Sequence, residues 1–276
     1  MSSGPTPPTI TGEHLSRAKT LANDSPQNTL FVRETLGGAL ESAMSVAPHF
    51  GTAEAWATLA NALICDHLNR WNLEKPANLA QAENAVRQAL AIDRDLPLAH
   101  FVDGFVKRAK GDHQAALTAF DRALQLKPDF ARAYAQKANE LINVGRPQEA
   151  PPMVEKAIEL NPNSPSLGMY YWIIGKAHFF AGNYSEAIKW LGKSIALREN
   201  LWYSRLYLIS ALAITGQNEQ AKEGLNDLNA KFGQYTLTRV ASDELANPNS
   251  HAVIVAGRRS LHEGLRSAGC LHDLVN

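Results

Sequence analysis

Cysteine is nearly missing from this chain: of 276 residues only Cys65 and Cys270 carry a thiol. They lie far apart and neither belongs to a Cys-x-x-Cys pair. A disulfide framework is therefore not expected, and a reducing compartment fits. An excess of charge is missing too. Lys and Arg total 27, as do Asp and Glu, whereas a general nucleic-acid or anionic-membrane surface needs clustered positive charge. No apolar run approaches the roughly 20 residues of a membrane span. The opening MSSGPTPPTITGEHLSRAK lacks the basic-then-apolar pattern of a secretory signal. The expectation is a soluble, cytoplasmic protein with no nucleic-acid or membrane partner. Residues 1–10, rich in Pro, Ser and Thr, are expected to be disordered.

Catalytic signatures are also absent. The chain has no phosphate-binding Walker loop, no GxSxG, no HExxH and no GxGxxG. His262, Cys270 and His272 could be imagined around zinc, but their spacing is irregular and no fourth ligand accompanies them. Cys65, Asp66 and His67 are sequential, and successive residues on a helix point in different directions, so they form no dyad. No enzyme activity, cofactor or metal is expected.

What the chain does have is a period. Gly111 recurs 34 residues on as Gly145, and Ala116, Ala123, Leu126 and Pro128 recur as Ala150, Ala157, Leu160 and Pro162. Gly182 and Gly216 share the spacing, as do Ala187 and Ala221, while Ala82, Val86 and Ala89 lie 34 before Ala116, Phe120 and Ala123. A fixed period of this size marks a repeat array. Glycine ends the first helix of each unit, where a left-handed residue costs least. Alanines stand where two backbones approach, and Phe120, Val154 and Leu191 fill the space between units. Pro128 and Pro162 stop the second helix.

The segments GDHQAALTAFDRALQLKPDF and GNYSEAIKWLGKSIALREN resemble the tetratricopeptide repeat, a pair of antiparallel helices in 34 residues. The resemblance implies an all-α solenoid, a right-handed superhelix of helix pairs. Its units fall at about 11–50, 53–96, 97–130, 131–164, 168–201 and 202–235, and 236–276 follows as a C-terminal capping segment. The run from Ala91 to Arg198, with the closing RRSLHEGLRSAG, also resembles the C-terminal repeat region of bacterial class III adenylate-cyclase-like and winged-helix regulatory proteins. That likeness implies a stand-alone version of the regulatory half.

Three places leave the register. About ten extra residues, centred on HLNRWNLEKP, predict a first helix that runs past the usual turn, with a loop near Glu74–Pro76. The insertion is either a tolerated surface loop or a contact element in which Arg70 and Trp71 project beside the groove. Pro151 and Pro152 predict a late helix start, because proline is tolerated in a first turn. His100, Asp103 and Lys107 occupy slots that are usually apolar. Their spacing puts them on one face, as an ion pair supported by His100 or a polar recognition spot.

In tetratricopeptide arrays the first helix of each pair lines the inner groove. The stripe expected there holds Leu98, Phe101 and Phe105, then Arg132, Ala135 and Asn139, then Met169, Trp172, Lys176 and Phe179, then Tyr203 and Leu206. Chaperone-binding members of the family clamp a terminal carboxylate with Lys and Asn. Phe101 and Phe105 replace two of those polar positions, so that activity is not carried over. The resemblance implies an interaction scaffold for a partner protein or peptide. The alternative is a regulatory sensor of a peptide or small ligand. Residues 250–267 read as one more helix with Val253, Ile254, Leu261 and Leu265 on its apolar side. They predict either a cap on the unit at 202–235 or an internal ligand folded into the groove.

Overall fold

The computed structural model describes residues 53–69, 77–233, 235–238, 240 and 251–271. The expected unit at 11–50, the disordered start at 1–10, the loop at Glu74–Pro76 and the side chains of Arg70 and Trp71 lie outside them. The described residues contain eleven α-helices and no strand. No helix among them is long and apolar enough to cross a membrane.

The helices come in pairs: α1 (Ala53–Asn69) with α2 (Ala77–Ile92), α3 (Pro97–Ala109) with α4 (His113–Leu126), α5 (Ala131–Asn143) with α6 (Ala150–Leu160), α7 (Leu167–Phe180) with α8 (Tyr184–Leu197), and α9 (Trp202–Ile214) with α10 (Asn218–Phe232). A final helix, α11 (Ala252–Ser267), stands outside the pairing. Two compact units divide the chain, one up to Pro128 and one from Asp129 onward.

Local chemistry sets the pair boundaries. Gly111, Gly145, Gly182 and Gly216 sit at φ of 79°, 83°, 77° and 80°, the left-handed conformation in which a side chain is strained. Each one turns the chain tightly from a first helix to a second. Asp112 then caps α4 by accepting from the Ala115 amide at 2.9 Å. The Pro151–Pro152 pair falls in the first turn of α6, which begins at Ala150 behind a 3-10 turn at Pro147–Glu149. In the first turn their missing N–H groups break no helical bond.

In the first unit the core of the α3/α4 pair is aromatic. Phe101, Phe105 and Phe120 are buried, with ring centroids 5.0–5.8 Å apart and edge-on or tilted. Gly104 lets Phe120 in: a Cβ there would lie 2.7 Å from its Cζ. The Arg108 guanidinium covers the cluster, 5.1 Å from the Phe105 centroid.

In the second unit α7 is the central helix, packed against α5, α6, α8 and α9. Its Gly175 allows Leu191 of α8 to approach closely. A hydroxyl bridge ties three helices: Ser194 Oγ donates to the Gly168 carbonyl at 2.7 Å and meets Ser204 Oγ at 2.9 Å. Both serines are fully buried, so the bridge satisfies groups whose burial alone would be costly.

Candidate functional site

The expected inner stripe divides by burial. Phe101, Phe105, Phe179 and Leu206 are at most 7% exposed. These four are core residues, not open groove contacts: Phe101 and Phe105 pack with Phe120 within their own pair, and Phe179 meets Tyr184 of its pair and Tyr207 of α9. The helical spacing that put them on one stripe could not tell the inner face from the interhelical one. Leu98, Arg132, Met169, Trp172 and Tyr203 are half-buried and keep an outer surface. Asn139 and Lys176 are buried, and Ala135 is fully so.

In the second unit the stripe residues form a connected site. Lys176 Nζ donates to Asn139 Oδ1 at 2.9 Å and to Asn143 Oδ1 at 3.1 Å. Asn143 Nδ2 in turn donates to Glu140 Oε1 at 3.1 Å. The same ammonium lies 5.2 Å from the Trp172 centroid and 5.9 Å from that of Phe180. A cation over aromatic faces is attracted by their negative quadrupole. Gln136 Nε2 reaches Met169 Sδ at 3.8 Å.

Aromatic rings continue the site onto α9. Trp172 and Tyr203 are 4.6 Å apart between centroids, and Trp202 extends the row to Tyr203 and Tyr235. The Trp172 Nε1 donor is buried with no hydrogen-bond acceptor, a state that costs about 1–3 kcal/mol. Burial pushes the Tyr203 hydroxyl up to about 12, against the opposing charge of Arg198. Beneath the row, Arg205 pairs with Asp227 of α10 and donates to the Glu199 carbonyl at 3.3 Å.

Helix α11 packs on α9 and reaches α7. A Cβ on Gly257 would fall 2.6 Å from Phe180 Cε1, and one on Gly264 would fall 2.6 Å from the Ser210 carbonyl oxygen. Ser210 Oγ donates to the Ser260 carbonyl at 3.1 Å. At the start of the helix, His251 lies against Gly145 and accepts from the Val253 amide at 3.3 Å. At its end, the Leu237 amide donates to the Leu271 carbonyl at 2.8 Å, and Cys270 Sγ lies 3.5 Å from the Tyr235 carbonyl. Ile254, Leu261 and Leu265 are buried and Val253 is half-buried. Burial and the nearby Arg266 and Arg258 hold the His262 imidazole below its usual value.

Gly145 lies just past the C-terminal end of α5, and Phe180 and Ser210 lie toward the C-terminal ends of the next first helices, α7 and α9. Arg132, Met169, Trp172 and Tyr203 lie toward the N-terminal ends. The first-helix face thus has a half that α11 covers and a half that the Trp172–Tyr203 pair marks. Phe180, Ser210 and Asn143 take part although the sequence stripe omitted them.

In the first unit, Lys107 Nζ meets Asp103 Oδ2 at 2.6 Å, the expected ion pair. His100 does not support it: its Nε2 lies 2.8 Å from the Arg94 carbonyl. The three line a cleft of about 510 Å³ with Asp121, Arg122 and Gln125. Among the described residues no three His, Cys, Asp or Glu side chains gather as metal ligands, and His272 lies outside them.

Comparison with known proteins gives a consistent result. A sequence profile of the tetratricopeptide repeat matches residues 104–130, 131–164 and 170–201. Anaphase-promoting complex subunit 3 of Schizosaccharomyces pombe is 23% identical over 177 residues, which make up 64% of this chain and 25% of that protein. The chain therefore spans about a quarter of the length of this relative. Among solved structures, PilW, a widely conserved type IV pilus biogenesis factor, aligns with a TM-score of 0.58 at 17% identity, covering 75% of this chain and 90% of that one. Pseudomonas aeruginosa PilF aligns with a TM-score of 0.56 at 18% identity, covering 83% and 97%. At these identities the structural likeness shows the fold.

Proposed function

We propose that this chain, an all-α tetratricopeptide-repeat protein, is a non-catalytic scaffold that holds a partner protein or peptide on the first-helix face of residues 129–276. The fold supports protein–protein interaction in general. The observation that carries the finer reading is the partly exposed Trp172–Tyr203 pair beside the Lys176–Asn139–Asn143 network. Large aromatic surface next to ordered polar groups is the composition of a binding hot spot. The network holds the Lys176 ammonium under Trp172, so the indole meets a partner as a rigid platform.

A second reading, a sensor of a peptide or small ligand, draws on the cleft beside His100, Asp103 and Lys107. One experiment separates the two. The wild type, Trp172→Ala and Asp103→Leu are used as bait, and captured proteins are quantified by mass spectrometry. An anchor is worth about 2 kcal/mol or more, so Trp172→Ala should lower specific capture about 30-fold while Asp103→Leu leaves it unchanged. Unchanged capture by a folded Trp172→Ala protein would remove the scaffold reading of this face.

A further inference from the structure

Helices α7 and α9 differ from the other first helices in the second unit. The sequence of α5 is amphipathic, but LGMYYWIIGKAHFF in α7 and WYSRLYLISALAI in α9 are apolar nearly all round. A helix apolar on every side must be covered on every side. Packing within the repeats leaves two parts of their surface open: Met169, Trp172 and Tyr203 stay partly exposed, while Phe180 and the backbone at Ser210 form a strip on which α11 lies. The covering helix is not a further member of the repeat. It follows α10 only after residues 233–251 and carries no 34-residue register.

The way α11 sits reads as recognition. Its contact positions are Ile254, Gly257, Leu261, Gly264 and Leu265, with the two glycines seven residues, or two turns, apart. Both are points of closest approach, where Phe180 and the Ser210 main chain leave no space for a Cβ. Glycine inside a helix weakens it intrinsically, so the seat rather than the helix sets these residues. Large buried aliphatic contacts are few, namely Ile254, Leu261 and Leu265, and the outer side carries Val255, Arg259, Glu263 and Arg266 in solvent.

We infer that the α7/α9 strip is a helix-binding groove and that α11 is its ligand held in cis. The partner class it fits is an amphipathic helix with a small residue every seventh position between aliphatic residues, which enters by replacing α11. This rests on the reading of the first-helix face as the partner surface. A tethered occupant acts at an effective concentration of about a millimolar, so α11 silences the groove toward weak helices and yields only to strong ones.

The test uses the full chain with a specific protease site placed between residues 241 and 250, and a fluorescein-labelled peptide of residues 251–271 as probe. The uncut chain should leave the probe free. After cleavage the released segment should exchange for the probe, read as a rise in fluorescence anisotropy, with the circular dichroism of the repeats unchanged. A probe carrying Gly264→Val should bind at least 100-fold more weakly. A cut chain that keeps its own segment without exchange, or that unfolds or aggregates when the segment leaves, would show α11 to be a permanent layer of the core and overturn the inference. Equal binding of the Gly264→Val probe would do so too, as would an uncut chain that is a dimer trading α11 between copies. No partner protein enters this assay, so its outcome is separate from that of the Trp172→Ala capture.

Discussion

The α3/α4 pair and the α7/α9 surface start from one 34-residue pattern and end differently. In α3 the slots facing outward are polar, and His100, Asp103 and Lys107 line a cleft open to water. The apolar side is closed within the pair by Phe101, Phe105 and Phe120 under Arg108. In α7 and α9 the corresponding surplus surface is aromatic and aliphatic, and an extra helix covers part of it. A repeat thus completes itself or recruits a cover according to a few residues on its first helix, while the turn glycines and interface alanines stay the same.

The comparison can be broken at its closed end first. Phe120 touches both other rings and the Gly104 backbone. Phe120→Ala should lower stability by about 4 kcal/mol, measured by urea denaturation. A loss under about 1 kcal/mol would mean that the pair does not depend on its aromatic core. At the covered surface, Gly264→Val forces a side chain into the Ser210 main chain and should cost about 2–3 kcal/mol. Gly192→Ala, in the same unit but with nothing within 4 Å of the added carbon, should instead stabilise by about 0.5–1 kcal/mol. Similar effects of both changes would remove the argument from close approach.

A smaller effect sharpens the aromatic site through pH. Burial raises the Tyr203 pKa from 10.0 to about 12, and burial raises that of Tyr170 as well. Between those values the folded chain holds a proton that the unfolded chain has lost. The contribution of Tyr203 to stability is therefore complete below pH 10 and falls as pH rises toward 12. Denaturation of the wild type should show this decline, and Tyr203→Phe should flatten it. An unaltered slope in Tyr203→Phe would place the titrating group elsewhere. The smallest effect belongs to the open cleft. Asp103 pairs with Lys107 where solvent reaches both, so Asp103→Leu should change stability by less than about 0.5 kcal/mol. A large fall in melting temperature would mean that Asp103 serves a wider network.

The sequence made the repeat legible because its signals are local: a left-handed glycine, a small residue at a close approach and a proline at a helix end each act within a turn or two. For the candidate site, helical spacing put Trp172, Lys176 and Tyr203 on one stripe with Phe101, Phe105, Phe179 and Leu206, and it could not separate the partly exposed rings of Trp172 and Tyr203 from the buried side chains, because apolar residues on a first helix serve its inner face and its neighbours alike. The seat of α11 depends on contacts across 50 residues of chain, such as Ser210 with Ser260. Two signals for it were present and unused. One was the Gly257/Gly264 spacing in a helical stretch, and the other the lack of a polar side in α7 and α9.

Site-specific photo-crosslinking tests the central claim most directly. A benzophenone amino acid is placed in the full chain at Met169, beside Trp172 on the first-helix face, or at Glu155, exposed on α6. The account predicts that the Met169 position captures a specific partner in cells and the Glu155 position does not. Capture from Glu155 alone, or none from Met169 in a folded chain, would contradict it.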